Sequence, residues 1–167
     1  MTLPAADDEG CVRLATPGDI PLLETHHRIM FEEIRRKSGD AADPAVLGVV
    51  GIEYAKKLAR EIPAGDCVAW ILQIGDRGVS SGAISIVSYV PVPHDPHSRI
   101  AFLHSIYTEE EYRHRHFACR ITQAAADYCR TLGIRRMYVF TNDAGRPVYT
   151  RTGFVPVPNM MILSFGT

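Results

Sequence analysis

The sequence contains no apolar run long enough to cross a membrane. Among its 167 residues, no stretch approaches the roughly 18 consecutive apolar residues that a membrane-spanning helix needs. Its first ten residues, MTLPAADDEG, are acidic and lack the apolar core of a secretory signal. We therefore expect no membrane partner, a cytoplasmic location and a short flexible leader at residues 1–10.

The sequence also has few cysteines and little excess charge of either sign. The four cysteines, Cys11, Cys67, Cys119 and Cys129, show neither a CxxC nor a zinc-type spacing. We therefore expect them to be reduced, small core residues. The formal net charge is −1, which argues against a general nucleic-acid binder, because such proteins need a basic surface.

What the sequence does have is the composition of one ordinary globular domain. Hydrophobic residues make up 46% of it and charged residues 22%, close to average usage and sufficient for a full core. No repeat, linker or low-complexity segment interrupts the chain. We expect a single domain over residues 11–167.

The spacing of apolar residues predicts helices and strands in the order β-α-α-β-β-β-α-β-α-β. The predicted strands are residues 11–15, 67–74, 79–90, 100–108, 136–141 and 154–165, and the predicted helices begin at residue 17 and cover 46–62, 117–132 and 143–151. This order predicts an α/β (mixed α+β) fold. The fourth and fifth strands should run parallel, because a helix joins them.

The octapeptide EYRHRHFA, residues 111–118, lies where the fourth strand meets a long helix. A helix N-terminus attracts anions through its free N–H groups and its dipole. His114, His116 and Cys119 also look like metal ligands, but no fourth ligand is evident. Residues 113–120 are basic, yet they lack the interleaved aromatics of a nucleic-acid site. We therefore expect neither a metal nor a nucleic acid here.

Three segments of the second half resemble the GNAT superfamily of acyl-CoA N-acyltransferases. They are Ile106-Tyr107-Thr108 followed by the octapeptide, the strand ending in Thr141-Asn142-Asp143, and GRPVYTRTGF, in which Tyr149 lies seven residues after Asn142. The opening VRLATPGDI is similar to the first strand and helix start of that superfamily. The resemblance implies a twisted central mixed sheet flanked by about four helices. It also implies transfer of an acetyl group from acetyl-CoA to a primary amine, by direct attack and without a metal.

The resemblance also implies which residues meet the cosubstrate. The superfamily has an R-x-x-G-x-[GA] loop here, and Arg113 and Ala118 match its first and last positions. His116 stands where glycine is expected, and His114 stands where a second glycine is common. The predicted cofactor-binding residues are Ile106, Tyr107, Thr108, Arg113, His114, Arg115, His116, Phe117, Ala118, Cys119 and Asn142. Glycine suits such a loop because a Cβ can block a positive φ. Whether the histidines allow CoA to bind is therefore open.

The predicted catalytic residues are Tyr149 and His104. Aminolysis of a thioester needs a deprotonated amine and a proton for the departing thiolate. Tyr149 lies where the superfamily has its general acid, although it could instead be a core tyrosine. Many members carry a glutamate base on the fourth strand, where this chain has Phe102. His104 matches a histidine of arylalkylamine acetyltransferases and titrates near neutrality, but it could equally be a core histidine. Phe102, His104 and Ile106 are expected to share one strand face.

The acceptor and the assembly are less determined. Phe31, Glu32 and Glu33 should lie near the end of the first helix, which borders the acceptor groove in the resembled fold, and could bind a cationic amine. A solvated face is the alternative. The acceptor would be a small-molecule or peptide amine, and a homodimer through C-terminal strands is common in the superfamily. The rival function is a non-catalytic GNAT-like module that binds CoA or another ligand. The missing glycines favour this rival, and Asn142 and Tyr149 oppose it.

Overall fold

The computed structural model describes residues 9–40 and 42–165. The strands are β1 (Cys11–Leu14), β2 (Cys67–Ile74), β3 (Arg77–Ser88), β4 (Arg99–Thr108) and β5 (Met137–Val139), and the α-helices are α1 (Ile20–Lys37), α2 (Pro44–Ala64), α3 (Phe117–Thr131) and α4 (Arg146–Arg151). Most of the expected leader, residues 1–8, lies outside the described residues. Of the helices described, none is both long and apolar enough to span a bilayer.

The first two helices begin and end at local signals in the sequence. The Asp19 carboxylate accepts a 2.7 Å hydrogen bond from the Thr16 N–H, in the turn that leads into α1. Asp43 caps α2 by accepting from the Ala45 N–H at 2.8 Å. Gly65 ends α2 with a left-handed backbone (φ +77°), as glycine does at many helix C-termini.

The five strands form one sheet in the order β1-β2-β3-β4-β5. Neighbours from β1 to β4 pair antiparallel, and β4 pairs parallel with β5. The crossover between these two parallel strands contains α3. The predicted mixed sheet and the predicted parallel pair are both confirmed.

Helices cover both faces of the sheet. One apolar cluster lies between the sheet and α1 and α2; its buried members are Leu23, Tyr54, Leu58, Cys67, Ala69, Ile71 and Ala83. A larger cluster lies beneath α3 and includes Trp70, Leu72, Ile84, Leu103, Phe117 and Ile121. We call these two sides the α1/α2 face and the α3 face. Ile71 and Leu72 belong to different clusters, because successive strand residues point to opposite faces.

The predicted last strand, residues 154–165, is wrong. After α4, residues 154–165 join no ladder with the described chain. Pro156 and Pro158 interrupt this segment, and proline has no N–H to give to a neighbouring strand. The segment leaves Met161, Ile162, Leu163 and Phe165 each more than three-quarters exposed. The preceding strand is also shorter than predicted, and α4 begins three residues later than expected.

A bulge interrupts β4 near its middle. Ser105 and Ile106 together lie opposite Gly82 of β3, where a regular ladder would place one residue. The pairs that flank the bulge are Ser81 with Tyr107 and Ala83 with His104. Ser105 has a φ of +57°, which is uncommon for a residue with a side chain.

The bulge changes which face the side chains of β4 occupy. Ile106 packs against the α3 cluster, and a Cβ on Gly82 would lie only 2.2 Å from Ile106 Cδ1. A side chain at residue 82 would therefore require Ile106 to move. His104 lies on the other face, against the Tyr54 ring. The expectation that Phe102, His104 and Ile106 share one face is wrong for Ile106, because the extra residue shifts the alternation.

The pairing of β4 with β5 stops halfway along β4. It joins Ala101–Leu103 to Met137–Val139, while β4 continues to Thr108. Within the described chain, the last five residues of β4 therefore have no strand beside them on the β5 side.

Candidate active site

The open half of β4, the start of α3 and the short helix α4 lie at one end of the sheet. β4 and β5 run parallel, so the loops that follow them leave from the same edge. The loop after β4 leads into α3, and the loop after β5 leads into α4. Cys119 Sγ, in the first turn of α3, lies 4.0 Å from the Val148 carbonyl oxygen of α4. Crevices at the carboxyl ends of parallel strands are common ligand sites.

Both loop histidines adopt the backbone that a glycine would have. His114 has a φ of +64°, and His116, directly before α3, has φ +60° and ψ +18°. The fold imposes this left-handed geometry at a cost of roughly 1–2 kcal/mol per residue. Left-handed residues beside a helix start turn successive N–H groups toward one side, an arrangement that binds anions. The histidines therefore do not prevent an anion-binding backbone.

The Arg113 side chain is engaged within the protein. Its Nη2 atom lies 2.8 Å from both carboxylate oxygens of Glu33 in α1. Its Nε donates to the Thr108 carbonyl oxygen at 3.0 Å, and its guanidinium lies 5.7 Å from the centre of the Tyr107 ring. Arg113 thus ties the loop to α1 and to the end of β4. The two side chains predicted to contact phosphate and acceptor, Arg113 and Glu33, bind each other.

The remaining predicted acceptor residues lie near the end of α1. Phe31 and Glu32 are exposed. The Phe31 ring contacts the His27 imidazole edge-on, with the ring centres 4.9 Å apart. The structure therefore leaves these two side chains, rather than Glu33, available to a ligand at this surface.

Most side chains predicted to bind the cofactor are used in packing. Phe117 is buried in the α3 cluster, and the Arg115 guanidinium lies 5.0 Å from its ring centre. Tyr107 is buried against the His26 ring, with the ring centres 5.0 Å apart. The Thr108 hydroxyl lies 2.9 Å from Ser80 Oγ. What these residues offer to the gap is therefore their main chain.

His104 is held by two serine hydroxyls. Its Nε2 lies 3.0 Å from Ser85 Oγ and its Nδ1 3.0 Å from Ser105 Oγ. Burial lowers the pKa of His104 to about 4, and the nearby Lys57 also lowers it. The imidazole is therefore neutral at physiological pH and can accept a proton, although both of its nitrogens already have hydrogen-bond partners.

Tyr149 and Asn142 lie in and before α4. The Tyr149 ring packs edge-on against Phe154, with the ring centres 5.7 Å apart. Burial raises the pKa of Tyr149 to about 12, so its hydroxyl keeps its proton. Asn142 Oδ1 accepts a 3.0 Å hydrogen bond from the Gly145 N–H, and its carbonyl accepts from the Arg146 N–H at 3.0 Å. Asn142 thus holds the turn that leads into α4, whose N-cap is Gly145.

The two predicted catalytic side chains belong to opposite faces of the sheet. Tyr149 packs with the α3 cluster, whereas His104 contacts Tyr54 of the α1/α2 cluster. Across the described residues, no hydrogen bond joins them. The structure therefore does not join the two predicted catalytic side chains directly.

The sequence interpretation missed a buried polar cluster around His104. His27 Nδ1 lies 2.8 Å from Ser105 Oγ, and the His27 ring stacks on Tyr54 with centres 3.8 Å apart. His26 Nδ1 lies 2.8 Å from Ser81 Oγ. Burial lowers the pKa of both helix histidines to about 4. The available signal was a pair of adjacent histidines on the apolar stripe of α1.

A separate cavity of about 690 Å³ lies beside β5. It is bounded by β5, α4 and the segment after Gly153, and Tyr149 is the one predicted site residue among those that line it. His104, Asn142 and the loop before α3 do not line it. This cavity is therefore distinct from the β4–β5 gap. Within residues 9–40 and 42–165, no group of three His, Cys, Asp or Glu side chains could hold a metal ion.

Comparison with known families matches the acetyltransferase (GNAT) family over residues 40–154. The match includes α2, the whole open edge of β4, the loop and α4. Sequence comparison with curated proteins finds no relative.

Several solved structures share the fold. A structure described as a predicted acetyltransferase with acetyl-CoA, from Clostridium acetobutylicum, is 19% identical, with a TM-score of 0.80 over 92% of this chain and 95% of that one. A GCN5-related N-acetyltransferase from Ralstonia eutropha is 20% identical, with a TM-score of 0.81 over 93% and 99%. Glucosamine-6-phosphate N-acetyltransferase from Arabidopsis thaliana is 12% identical, with a TM-score of 0.64 over 93% and 98%. At these identities the likeness shows the fold.

Proposed function

The chain belongs to the GNAT family of acetyltransferases, and on that premise we propose that it transfers an acetyl group from acetyl-CoA to a primary amine by direct attack on the thioester. The observation that carries this proposal is the open half of β4 beside a loop whose two histidines have left-handed backbones. One element offers an unpaired strand edge, and the other offers an anion site. Acetyl-CoA needs both, because it combines an extended amide chain with a pyrophosphate.

The unpaired edge of β4 would bind the pantetheine arm as an added strand does. Main-chain groups of Ile106, Tyr107 and Thr108 are the donors and acceptors at this edge, since their side chains are committed to packing. Main-chain hydrogen bonds give such an added strand its affinity. The Thr108 carbonyl already accepts from Arg113, so the end of this edge has a fixed position.

The loop from His114 to Cys119 would bind the pyrophosphate. The first N–H groups of α3 have no partner within the helix, and the helix dipole favours negative charge there. His114 and His116 give the backbone its shape. Arg113 would act by holding the loop rather than by touching phosphate, because Glu33 and Thr108 occupy its guanidinium.

Tyr149 and His104 would supply the two proton transfers. Tyr149 keeps its proton because burial raises its pKa to about 12, so its phenol can donate to the departing thiolate. His104 is neutral because burial lowers its pKa to about 4, so it can receive the proton that the amine loses. Asn142 would fix the start of α4, which carries Tyr149. The acceptor is a small-molecule or peptide amine that enters past Phe31 and Glu32.

Acetyl-CoA binding followed by thiol release tests this function. A ligand that binds only the native state adds about 2.7 kcal/mol at 100 times its Kd, which is roughly 5–10 °C in Tm for a domain of this size. The protein should show such a shift with millimolar acetyl-CoA. It should then release free thiol with at least one amine from a panel of glucosamine, spermidine, tryptamine and a lysine peptide.

The exposed variant Arg130→Ala serves as the control, because Arg130 pairs with Asp127 at the far end of α3. It should behave as the wild type in both measurements. Absence of any Tm shift would overturn the proposed function. A clear shift without thiol release from any amine would favour the rival, a binding module without catalysis.

A further inference from the structure

A single hydroxyl on the β4 bulge joins two imidazoles. Ser105 Oγ lies 2.8 Å from His27 Nδ1 of α1 and 3.0 Å from His104 Nδ1 of β4. His104 continues the chain through Nε2 to Ser85 Oγ at 3.0 Å. The result is a continuous hydrogen-bonded series, Ser85–His104–Ser105–His27, that crosses from β3 to α1.

The hydrogen-bonding capacity of a hydroxyl fixes where the Ser105 proton lies. A hydroxyl has one proton to donate and two lone pairs to accept. Between two neutral imidazoles it donates to the nitrogen without a proton and accepts from the nitrogen that carries one. The two imidazoles leave one lone pair of Ser105 Oγ unused. The buried Tyr54 hydroxyl has no hydrogen bond of normal length to a described residue, and it is the other polar group that interacts with Ser105.

The backbone at Ser105 points to a functional reason for this residue. Its φ of +57° is one that glycine adopts without strain and that costs other residues roughly 1–2 kcal/mol. Strained backbone that the surrounding structure maintains is concentrated at functional sites. The bulge also lies two residues beyond Leu103, where β4 loses its β5 partner. The bulge is therefore placed beside the gap.

Resting on the proposed acetyl transfer, we propose that Ser105 is the residue that takes the proton from the acceptor amine, with His104 and His27 behind it. Both nitrogens of His104 are bonded to serines, so an amine reaches this base through a hydroxyl. The amine N–H donates to the unused lone pair of Ser105 Oγ. As that proton transfers to Oγ, the original Ser105 proton passes to the unprotonated imidazole nitrogen. One N–H bond breaks, one N–H bond forms, and the serine remains a neutral hydroxyl.

His27 is the positioning residue of the series. One imidazole donates a hydrogen bond to Ser105 Oγ. This bond directs the Ser105 proton at the other imidazole, so the relay needs both histidines. His27 is stacked on Tyr54 and edge-on to Phe31, which fixes its ring. The charged groups that act on His104 from α2 are Lys57 and Glu61, and these two form an ion pair with each other. Their opposite charges act against each other at His104, and burial keeps both imidazoles neutral, as the series requires.

The chain offers a matched control for this series. Ser81 Oγ lies 2.8 Å from His26 Nδ1, which is a second buried serine–histidine pair, on the next strand and outside the series. Ser105→Gly removes the hydroxyl and suits the left-handed backbone, so it should fold. Ser81→Ala removes an equivalent hydroxyl that the proposed relay does not use.

Nitrogen NMR of the histidine rings tests the series without any substrate. In the wild type, one of His27 and His104 should carry its proton on Nδ1 while the other has Nδ1 unprotonated. Ser105→Gly should shift the ring signals of both, and Ser81→Ala those of His26. Finding both Nδ1 atoms protonated, or both unprotonated, in the wild type would overturn the relay.

Turnover with the best amine of the panel tests the proton transfer. Ser105→Gly should lower kcat about 100-fold, the usual contribution of a general base, and leave the acetyl-CoA Tm shift unchanged. His104→Asn, whose amide can keep a bond to Ser105 but does not titrate, should lack the acid limb of the wild-type kcat/KM profile. A structural defect would lower kcat/KM at every pH and leave the acid limb at the same pH.

Two results separate the proposals. If the wild type releases no thiol with any amine, the proposed function fails and this relay with it. If the wild type is active and Ser105→Gly turns over as fast, or Ser81→Ala loses as much as Ser105→Gly, the relay alone is overturned.

Discussion

Arg113 Nη2 lies 2.8 Å from each carboxylate oxygen of Glu33, 80 residues earlier in the chain. The ion pair is partly shielded from solvent, because both side chains are less than a third exposed. It joins the loop before α3 to α1, two elements that the sequence separates by three strands and a helix. The loop that should hold pyrophosphate is thus fixed to the helix that borders the acceptor surface.

Glu33→Gln should loosen that loop. The variant leaves the Arg113 guanidinium without its ionic partner, which should lower the free energy of unfolding by about 1 kcal/mol and reduce the acetyl-CoA Tm shift. Urea unfolding and thermal shift measure both effects. Glu53→Gln breaks an exposed pair with Lys56 and should change stability by under about 0.5 kcal/mol. A tighter acetyl-CoA complex in Glu33→Gln would instead mean that freed Arg113 binds phosphate.

Replacing the left-handed histidine before α3 should reveal the strain there. His116→Gly should be more stable than His116→Ala by about 1 kcal/mol, because only alanine keeps the penalty for a positive φ. At Ala118, inside the helix, the order should reverse, with glycine costing roughly 0.5–1 kcal/mol. Urea unfolding decides this comparison, and equal stabilities of the two His116 variants would contradict it.

The same variant tests what the His116 side chain does for the cosubstrate. If the ring only obstructs the backbone, His116→Gly should bind acetyl-CoA more tightly, by titration calorimetry. Weaker binding would show that the ring contacts the cosubstrate. Either result leaves the backbone geometry of the loop, which glycine also adopts, unchanged.

The buried histidines should make the protein lose stability in mild acid. His26, His27 and His104 each have a folded pKa of about 4, below the usual 6.5, so the unfolded chain binds more protons between these values. The free energy of unfolding is therefore highest above pH 6.5, and it decreases as the pH falls toward 4. At about 1.4 kcal/mol per pKa unit, the three together should cost several kcal/mol. Urea unfolding at pH 7.5, 6.5, 5.5 and 4.5 measures the loss.

His26→Asn should make that pH dependence shallower, since one of the three groups is removed while the bond to Ser81 can be kept. The Glu109 carboxylate lies 3.7 Å from His26 Nε2 and would attract the protonated ring. It therefore limits the part of the acid-induced stability loss that comes from His26. Asp95, whose pKa the neighbouring Arg136 holds near 2, loses its contribution only below about pH 4. Constant stability from pH 7.5 to 4.5 would contradict the assignment of neutral buried histidines.

Tyr149→Phe should lower turnover by at least about 10-fold while leaving acetyl-CoA affinity nearly unchanged. The ring keeps its packing on Phe154, and only the proton donor is lost. Tyr138→Phe, a similar change on β5, provides the control. Because burial raises the pKa of Tyr149 to about 12, wild-type turnover should show no loss from this group below pH 10. Unchanged turnover in Tyr149→Phe would remove it from the mechanism.

The sequence predicted the parts of the site that depend on local pattern. Apolar spacing placed the strand that ends at Thr108 and the helix that starts at Phe117, because periodicity of two or 3.6 is a local property. The short helix that carries Tyr149 was also predicted, with a start three residues too early. These elements carry most of the proposed site.

What the sequence could not predict depends on contacts between distant segments. No local pattern marks the bulge at Ser105, since it arises from the register of β4 against β3. The approach of His27 to Ser105 and of Glu33 to Arg113 requires α1 to be placed on the sheet first. The prediction of a last strand was wrong for a different reason. It gave the apolar run more weight than Pro156 and Pro158.

The half-paired β4 strand also bears on how this protein avoids aggregation. A strand edge with free N–H and C=O groups is a template for a second chain, and natural proteins protect such edges with lysine, proline or a bulge. From Ser105 to Thr108 this chain has serine, isoleucine, tyrosine and threonine, a β-prone run in which the bulge at Ser105 is the protective feature. It lies inside the sheet, between two strands rather than at the rim. A second chain could pair with it only by entering between β4 and β5.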